Sequence, residues 1–220
     1  MDKFTRDTTI FFQKGTHPSI LLLSGMHGDE FRVIESLITI LQEHEAKIPD
    51  FIFIPQVSPS AVKQKTRLNS RGVDLNRIFT DDVRDEEGVA LLSIIQPYHF
   101  PLCLSFHEDL DSNSFYMYDS GRVEDGKLEE FRATLKRSNI PLFSGIDDPQ
   151  DPVLGCTITD GYYSVQQKYT YSDGFFMDYV IRNKICDRFI TLEIPGTVNR
   201  EENLRITSEV FQALRKMINF

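Results

Sequence analysis

The residues Ser24-Gly25-Met26-His27-Gly28-Asp29-Glu30 place an imidazole and a carboxylate three positions apart, directly behind the apolar run Ile20-Leu21-Leu22-Leu23. If a strand ends there and a helix begins, His27 and Glu30 fall on the same side, because residues i and i+3 are helix neighbours. That spacing lets both close on one cation. His-x-x-Glu is short and also arises at ordinary helix starts, so its meaning depends on partners elsewhere in the chain. His107, behind Leu102-Cys103-Leu104-Ser105-Phe106, is a candidate third ligand. Two histidines and one glutamate, with a position left for water, form a catalytic rather than a structural zinc arrangement. The competing reading of His107 is a hydrogen-bonded strand-end histidine beside a solvated acidic turn, Glu108-Asp109.

Glu193 interrupts the apolar stretch Phe189-Ile190-Thr191-Leu192-Glu193-Ile194. A carboxylate there is partly buried, and unpaired burial is costly. It must pair with a cation, or hold a raised pKa and do proton chemistry. The segment Arg67 to Arg77 offers several guanidiniums with the Asn69 and Asn76 amides, a set suited to bidentate capture of a carboxylate. A solvated basic loop is the plainer reading of the same residues.

The elements that must position these groups follow from hydrophobic periodicity. Strands are predicted over Thr8–Gln13, Ser19–Ser24, Phe51–Ile54, Leu102–Phe106, Ser114–Tyr118 and Phe189–Ile194. Helical spacing predicts helices over about Asp29–Ala46, Asp85–Gln96, Glu124–Ser138, Phe175–Asn183 and Glu201–Ile218. Gln56 to Asp82 shows no convincing period, and Pro141 to Ser172 is turn-rich. The order strand, helix, strand at the start predicts an α/β fold with a parallel sheet under covering helices. His27 with Glu30, His107 and Glu193 all follow or end predicted strands, the edge where such sheets bind ligands.

At 220 residues, with 40% hydrophobic and 26% charged residues, the chain reads as one domain over residues 1–220. A net charge of −9 argues against nucleic acid as the main partner. No apolar run approaches a membrane span, and the N-terminus lacks the h-region of a secretion signal. Cys103, Cys156 and Cys186 are scattered without C-x-x-C spacing, which suggests reduced thiols in a cytoplasmic protein.

His27-Gly28-Asp29-Glu30, then Arg67 to Arg77 ending Gly72-Val73-Asp74-Leu75-Asn76-Arg77, then His107, then Glu193 in Thr191-Leu192-Glu193-Ile194-Pro195 occur in that order. Together they resemble the zinc carboxypeptidase family of the carboxypeptidase A type, in its compact peptidase and murein peptide amidase branch, which is related to the succinylglutamate desuccinylases and aspartoacylases. The resemblance implies a three-layer α/β/α fold with a mixed, mostly parallel central sheet. It implies one zinc ion bound by His27, Glu30 and His107, with Asp74 orienting His27. Asn76 and Arg77 would hold the substrate carboxylate, with Arg71 as an auxiliary anion contact. Arg67 would steady the oxyanion, and Glu193 would be the general base for the zinc-bound water. A site tyrosine is expected near Thr170, either Tyr169 or Tyr171, shortly before Gly174-x-x-x-Asp178. Met177 corresponds to a pocket-lining position and weighs against a basic C-terminal residue. Ile78 departs from the peptidase pattern; Asn76-Arg77-Ile78-Phe79 resembles the desuccinylase and aspartoacylase branch.

Three functions follow as expectations. The first is a cytoplasmic zinc carboxypeptidase or peptide amidase cleaving the C-terminal amide bond of a small peptide with a free carboxylate. The second is an N-acyl amino acid deacylase using the same metal and glutamate. The third is a binding protein that keeps the pocket without turnover. Oligomeric state has no signature in the sequence.

Overall fold

Ile20 and Leu22 join one hydrophobic core, and their chain neighbours Leu21 and Leu23 join another. Successive strand residues point to opposite sheet faces, so a continuous apolar run marks a strand covered on both sides. The computed structural model describes residues 1–147, 155–165 and 174–220. Its elements are β1 (Asp2–Arg6), β2 (Thr9–Lys14), β3 (Ile20–Ser24), α1 (Phe31–His44), β4 (Phe51–Ile54), α2 (Pro59–Gln64), α3 (Glu86–Ile95), β5 (Leu102–Asp109), β6 (Tyr116–Asp119), α4 (Asp125–Arg137), β7 (Gly145–Ile146), β8 (Thr157–Ile158), β9 (Tyr162–Ser164), α5 (Phe176–Arg182), β10 (Phe189–Pro195) and α6 (Arg200–Ile218).

The main sheet has eight strands in the order β1-β2-β4-β3-β5-β10-β6-β9, with β7 and β8 paired antiparallel in a separate two-stranded sheet. Its centre, β4-β3-β5-β10, is parallel; β2 and β6 join it antiparallel. One face carries α1, α4 and α6, through Leu37, Phe131 and Phe211 among others. The other carries α3 and α5, through Leu91, Ile95, Phe176 and Val180. This is the expected three-layer α/β/α fold with a mixed, mostly parallel sheet.

From β3 the chain moves to β4 on one side by way of α1, then returns past β3 to β5 by way of α3. The strand order therefore reverses between β3 and β5, and ligand crevices open at the carboxyl ends of strands at such a switch.

The structure corrects several expectations. The first strand, β1, has no counterpart among the predicted ones; as an edge strand exposed along its length it shows no alternation. Gln56 to Asp82 contains the short helix α2 and a 3-10 turn at Leu75–Arg77. Strand β5 continues to Asp109, so His107 lies within it rather than at its end. Glu108 is buried and belongs to no solvated turn. Among the described residues, no helix is long and apolar enough to cross a membrane. Cys103, Cys156 and Cys186 are all buried free thiols.

Candidate metal centre

His27 and Glu30 follow β3, and His107 stands on the neighbouring β5. One ligand atom from each lies within 4.8 Å of the other two, and all three residues are buried. Nδ1 of His27 is 2.5 Å from Glu30 Oε1, and Nδ1 of His107 is 2.8 Å from Glu30 Oε2. Both imidazoles thus turn the same nitrogen toward one carboxylate. Their far nitrogens are engaged outside the cluster: His27 Nε2 with Asp74 Oδ1 at 3.2 Å, His107 Nε2 with the Ser105 hydroxyl at 3.0 Å.

This donor set fits a divalent cation. Glu30 Oε2 is buried and accepts no hydrogen bond, despite its closeness to His107. Two nitrogens and a carboxylate suit zinc, and outer partners on the far nitrogens are the usual device for orienting histidine ligands. Without a cation the carboxylate and imidazoles compensate one another. Burial opposes a charged His27, but Glu30 and the bond to Asp74 outweigh it and lift the imidazole to about 9. Burial likewise opposes an ionised Glu30, yet His107 and His27 hold its carboxyl far below the usual range. A metal must displace a proton from His27, so its affinity should fall in acid.

Local packing demands Gly28. A Cβ there would meet the Ala61 backbone at 1.9 Å, and the Gly28 N–H donates to Thr66 O at 2.9 Å. The turn between His27 and Glu30 nests against α2 and the bend after it only because that side chain is missing.

Asp74 joins the cluster to the basic segment. Its carboxylate meets His27, accepts from Arg67 Nε at 3.0 Å and takes the Asn76 N–H at 2.9 Å. Against the upward push of burial, the His27 bond and charge and the Arg67 guanidinium hold Asp74 well below the carboxylate range. Asn76 Oδ1 accepts the Phe176 N–H at 3.1 Å, which orients its amide at the start of α5. Arg77 lies over the Phe175 ring at 4.2 Å and donates to Asn76 O. Gly174 is required here: its φ is +73°, and a Cβ would meet the Arg77 carbonyl oxygen at 2.2 Å.

Arg71 lies elsewhere. It makes two hydrogen bonds to Asp85, at 3.0 and 2.7 Å, and Asn69 donates to the same carboxylate at 2.9 Å. Asp85 also caps α3. Asn69 and Arg71 therefore anchor the loop to α3, and neither borders the cavity.

Glu193 sits on β10 with His107 beside it on β5 and Tyr116 beside it on β6, in direct register. All three line one cavity of about 550 Å³, together with His27, Glu30, Arg67, Asn76, Arg77 and Met177. Burial, then the negative charges of Glu30, Asp109 and Asp147, push the Glu193 carboxyl well above its ordinary value. The Tyr116 hydroxyl donates to Asp109 Oδ2 at 2.8 Å and lies 3.3 Å from Asp147 Oδ1. Tyr169 and Tyr171 lie outside the described residues.

Sequence reasoning missed Ser105, Tyr116, Asp109 and Asp147. Ser105 was accessible to it, since it precedes His107 by two positions on a strand and so shares its face. Tyr116 had no local signal, because its place depends on an antiparallel register with β10.

The fold is a three-layer α/β/α hydrolase-type architecture with a candidate metal cluster beside the carboxyl ends of its central strands. Residues 16–218 match the succinylglutamate desuccinylase/aspartoacylase catalytic domain, and the chain belongs to that family of hydrolases. No curated protein matches it. A candidate metallopeptidase from Shewanella denitrificans OS217 superposes with a TM-score of 0.75 at 22% identity, covering 97% of this chain and 82% of that one. The murein-tripeptide amidase MpaA from Escherichia coli O157 does so with 0.59 at 18% identity, over 93% and 86%. An aspartoacylase family protein from Mesorhizobium loti gives 0.58 at 19% identity, over 95% and 60%. At these identities the likeness is one of fold.

Proposed function

We propose that this chain is a zinc-dependent hydrolase that cleaves the C-terminal amide bond of a small peptide carrying a free carboxylate. The observation that carries this reading is the grouping of His27, Glu30 and His107 in one cavity with Glu193, Arg67, Asn76 and Arg77. His27, Glu30 and His107 would hold one zinc ion, which when bound supplies a Lewis acid and lowers the pKa of a water toward ~7.

Arg77 and Asn76 bind the substrate carboxylate, and stacking on Phe175 and the bond to Phe176 hold them in place. Arg67, oriented by Asp74, stabilises the negative charge that develops on the carbonyl oxygen. Glu193 takes a proton from the attacking water as its oxygen bonds to the carbonyl carbon. It delivers that proton to the amide nitrogen as the C–N bond breaks. Burial and the neighbouring negative charges raise the proton affinity of the Glu193 carboxylate, which strengthens it as the acceptor once it is ionised. Met177 adds apolar surface to the cavity, which favours an apolar over a basic C-terminal residue. Three buried thiols suit a cytoplasmic setting, and the chain would act as one catalytic domain.

The family match and Asn76-Arg77-Ile78-Phe79 favour a second reading, deacylation of an N-acyl amino acid. Acidic residues outnumber arginines around the cavity, among them Asp29, Asp109, Asp111 and Asp147. They disfavour the second carboxylate of a succinyl group and support the peptide reading.

A hydrolysis panel of short peptides, their C-terminal amides, and N-acetyl- and N-succinyl-amino acids separates the two. Turnover confined to peptides with a free carboxylate is expected. Preference for N-acyl amino acids would select deacylation, and full activity after chelation to a metal-free protein would sink both.

A further inference from the structure

Glu30 occupies the N-cap position of α1, yet its side chain makes no capping hydrogen bond, because its carboxylate is turned to the two imidazoles. The first-turn N–H groups of a helix need an acceptor. One comes from another strand. Glu108, directly after His107 on β5, accepts the Val33 N–H at 2.9 Å through Oε1. Its Oε2 accepts from Arg32 Nε at 3.0 Å and Asn203 Nδ2 at 3.3 Å. The Glu108 side chain is fully buried.

Arg32 also donates to the carbonyl of Gly196, just past the end of β10. Asn203 on α6 takes the Ser36 hydroxyl at 2.7 Å and so returns to α1. A single carboxylate thus ties together the helix that follows Glu30, the strand of His107 and the end of the strand of Glu193. Glu108 borders the cavity, but none of these hydrogen bonds is made to His27, Glu30, His107 or Glu193. They fix the separation of the segments that carry those residues.

We propose that Glu108 is a positioning residue that sets the spacing between Glu30 and His107 by capping α1 from the strand that carries His107. This rests on the reading of His27, Glu30 and His107 as metal ligands. A buried carboxylate serving only stability would not be expected to control metal affinity. One that fixes two ligand-bearing segments would.

The test is cobalt(II) binding to the metal-free full chain, followed by visible absorption and chelator competition. Glu108→Gln keeps the volume but cannot accept from both Val33 and the Arg32–Asn203 pair. It should bind cobalt roughly 10-fold to 100-fold more weakly, the range for loss of an outer partner, with a changed absorption band. Asn203→Ala disturbs the same buried network without removing the Val33 cap; it should lower Tm and leave cobalt affinity intact. If Glu108→Gln does not fold, Glu108→Asp keeps the charge but shortens the reach to Val33, and should weaken cobalt in the same way. Unchanged affinity in the Glu108 variant that folds, or equal weakening in Asn203→Ala, would overturn the role of Glu108 alone. A wild-type chain that takes up no cobalt would instead overturn the ligand assignment on which it rests.

Discussion

The candidate metal cluster and the basic loop border the same cavity, but they are held there by different forces. His107 rides on β5, and His27 and Glu30 follow its parallel neighbour β3, so backbone register brings the two segments side by side and the Glu108 side chain then ties α1 to β5. The loop from Arg67 to Arg77 has no ladder to fix it. It depends on two carboxylates, Asp74 inside the cavity and Asp85 at the start of α3. Which arginine serves which purpose is decided by the carboxylate it meets. Arg67 meets Asp74 and faces the cavity, whereas Arg71 meets Asp85 and is withdrawn from it.

Breaking the strand-borne part should have the largest effect. Glu193→Gln is expected to retain zinc and lose kcat by about 10²–10⁴-fold, the usual contribution of a general base. Metal analysis beside steady-state kinetics checks both halves; full activity would remove Glu193 from the proton chemistry.

Arg77→Ala should act on binding. Hydrogen bonds to charged groups are worth about 1.5–3 kcal/mol, so KM for a peptide with a free carboxylate should rise roughly 10- to 100-fold. The C-terminal amide of the same peptide should be affected far less. An equal effect on both substrates would mean that Arg77 does not read the carboxylate.

Glu193 also makes a stability prediction. In the unfolded chain it ionises at the ordinary value of 4.5, while burial and then Glu30, Asp109 and Asp147 keep it protonated to higher pH in the fold. The stability this confers is present below the unfolded pKa and is lost as pH rises toward the folded one. Metal-free Glu193→Gln cannot ionise, so it should match the wild type in acid and gain on it by about 1.4 kcal/mol per pH unit across that window. Tm measured against pH checks the sign. A variant less stable than wild type at neutral pH would contradict the raised pKa.

The smallest effect belongs to Arg71→Met. The Arg71 side chain is more than a third exposed, and its buried partner Asp85 keeps the Asn69 amide and the Glu87 N–H as donors, so the loss should be near the ~0–1 kcal/mol of solvent-screened pairs. Tm should drop slightly and KM stay constant. A large rise in KM would return Arg71 to the substrate site from which its hydrogen bonds exclude it.

Much of the fold was legible because buried strands and amphipathic helices write their burial into a local period. The runs Ile20–Leu23 and Phe51–Ile54 could be read as strands, and Phe31, Ile34, Leu37 and Leu41 as a helix face. Edge strand β1 escaped for the same reason in reverse: neither of its faces is buried, so no alternation is imposed. Glu108 escaped because acidic residues in succession look like a solvated turn. Only its meeting with Val33, Arg32 and Asn203 makes it an interior group.

By itself, the sequence determined the donor types, their place at the ends of apolar runs and the glycines that allow close approach at Gly28 and Gly174. These are properties of a residue and its immediate chain neighbours. The tertiary structure alone decided which donors meet. Strand order inserts β10 between β5 and β6 and sets Glu193 between His107 and Tyr116. It also turns Arg71 to Asp85 and brings Glu108 to the helix that Glu30 leaves uncapped. Contacts between segments far apart in the chain depend on register and on which partner satisfies a buried charge, and neither leaves a local period to read.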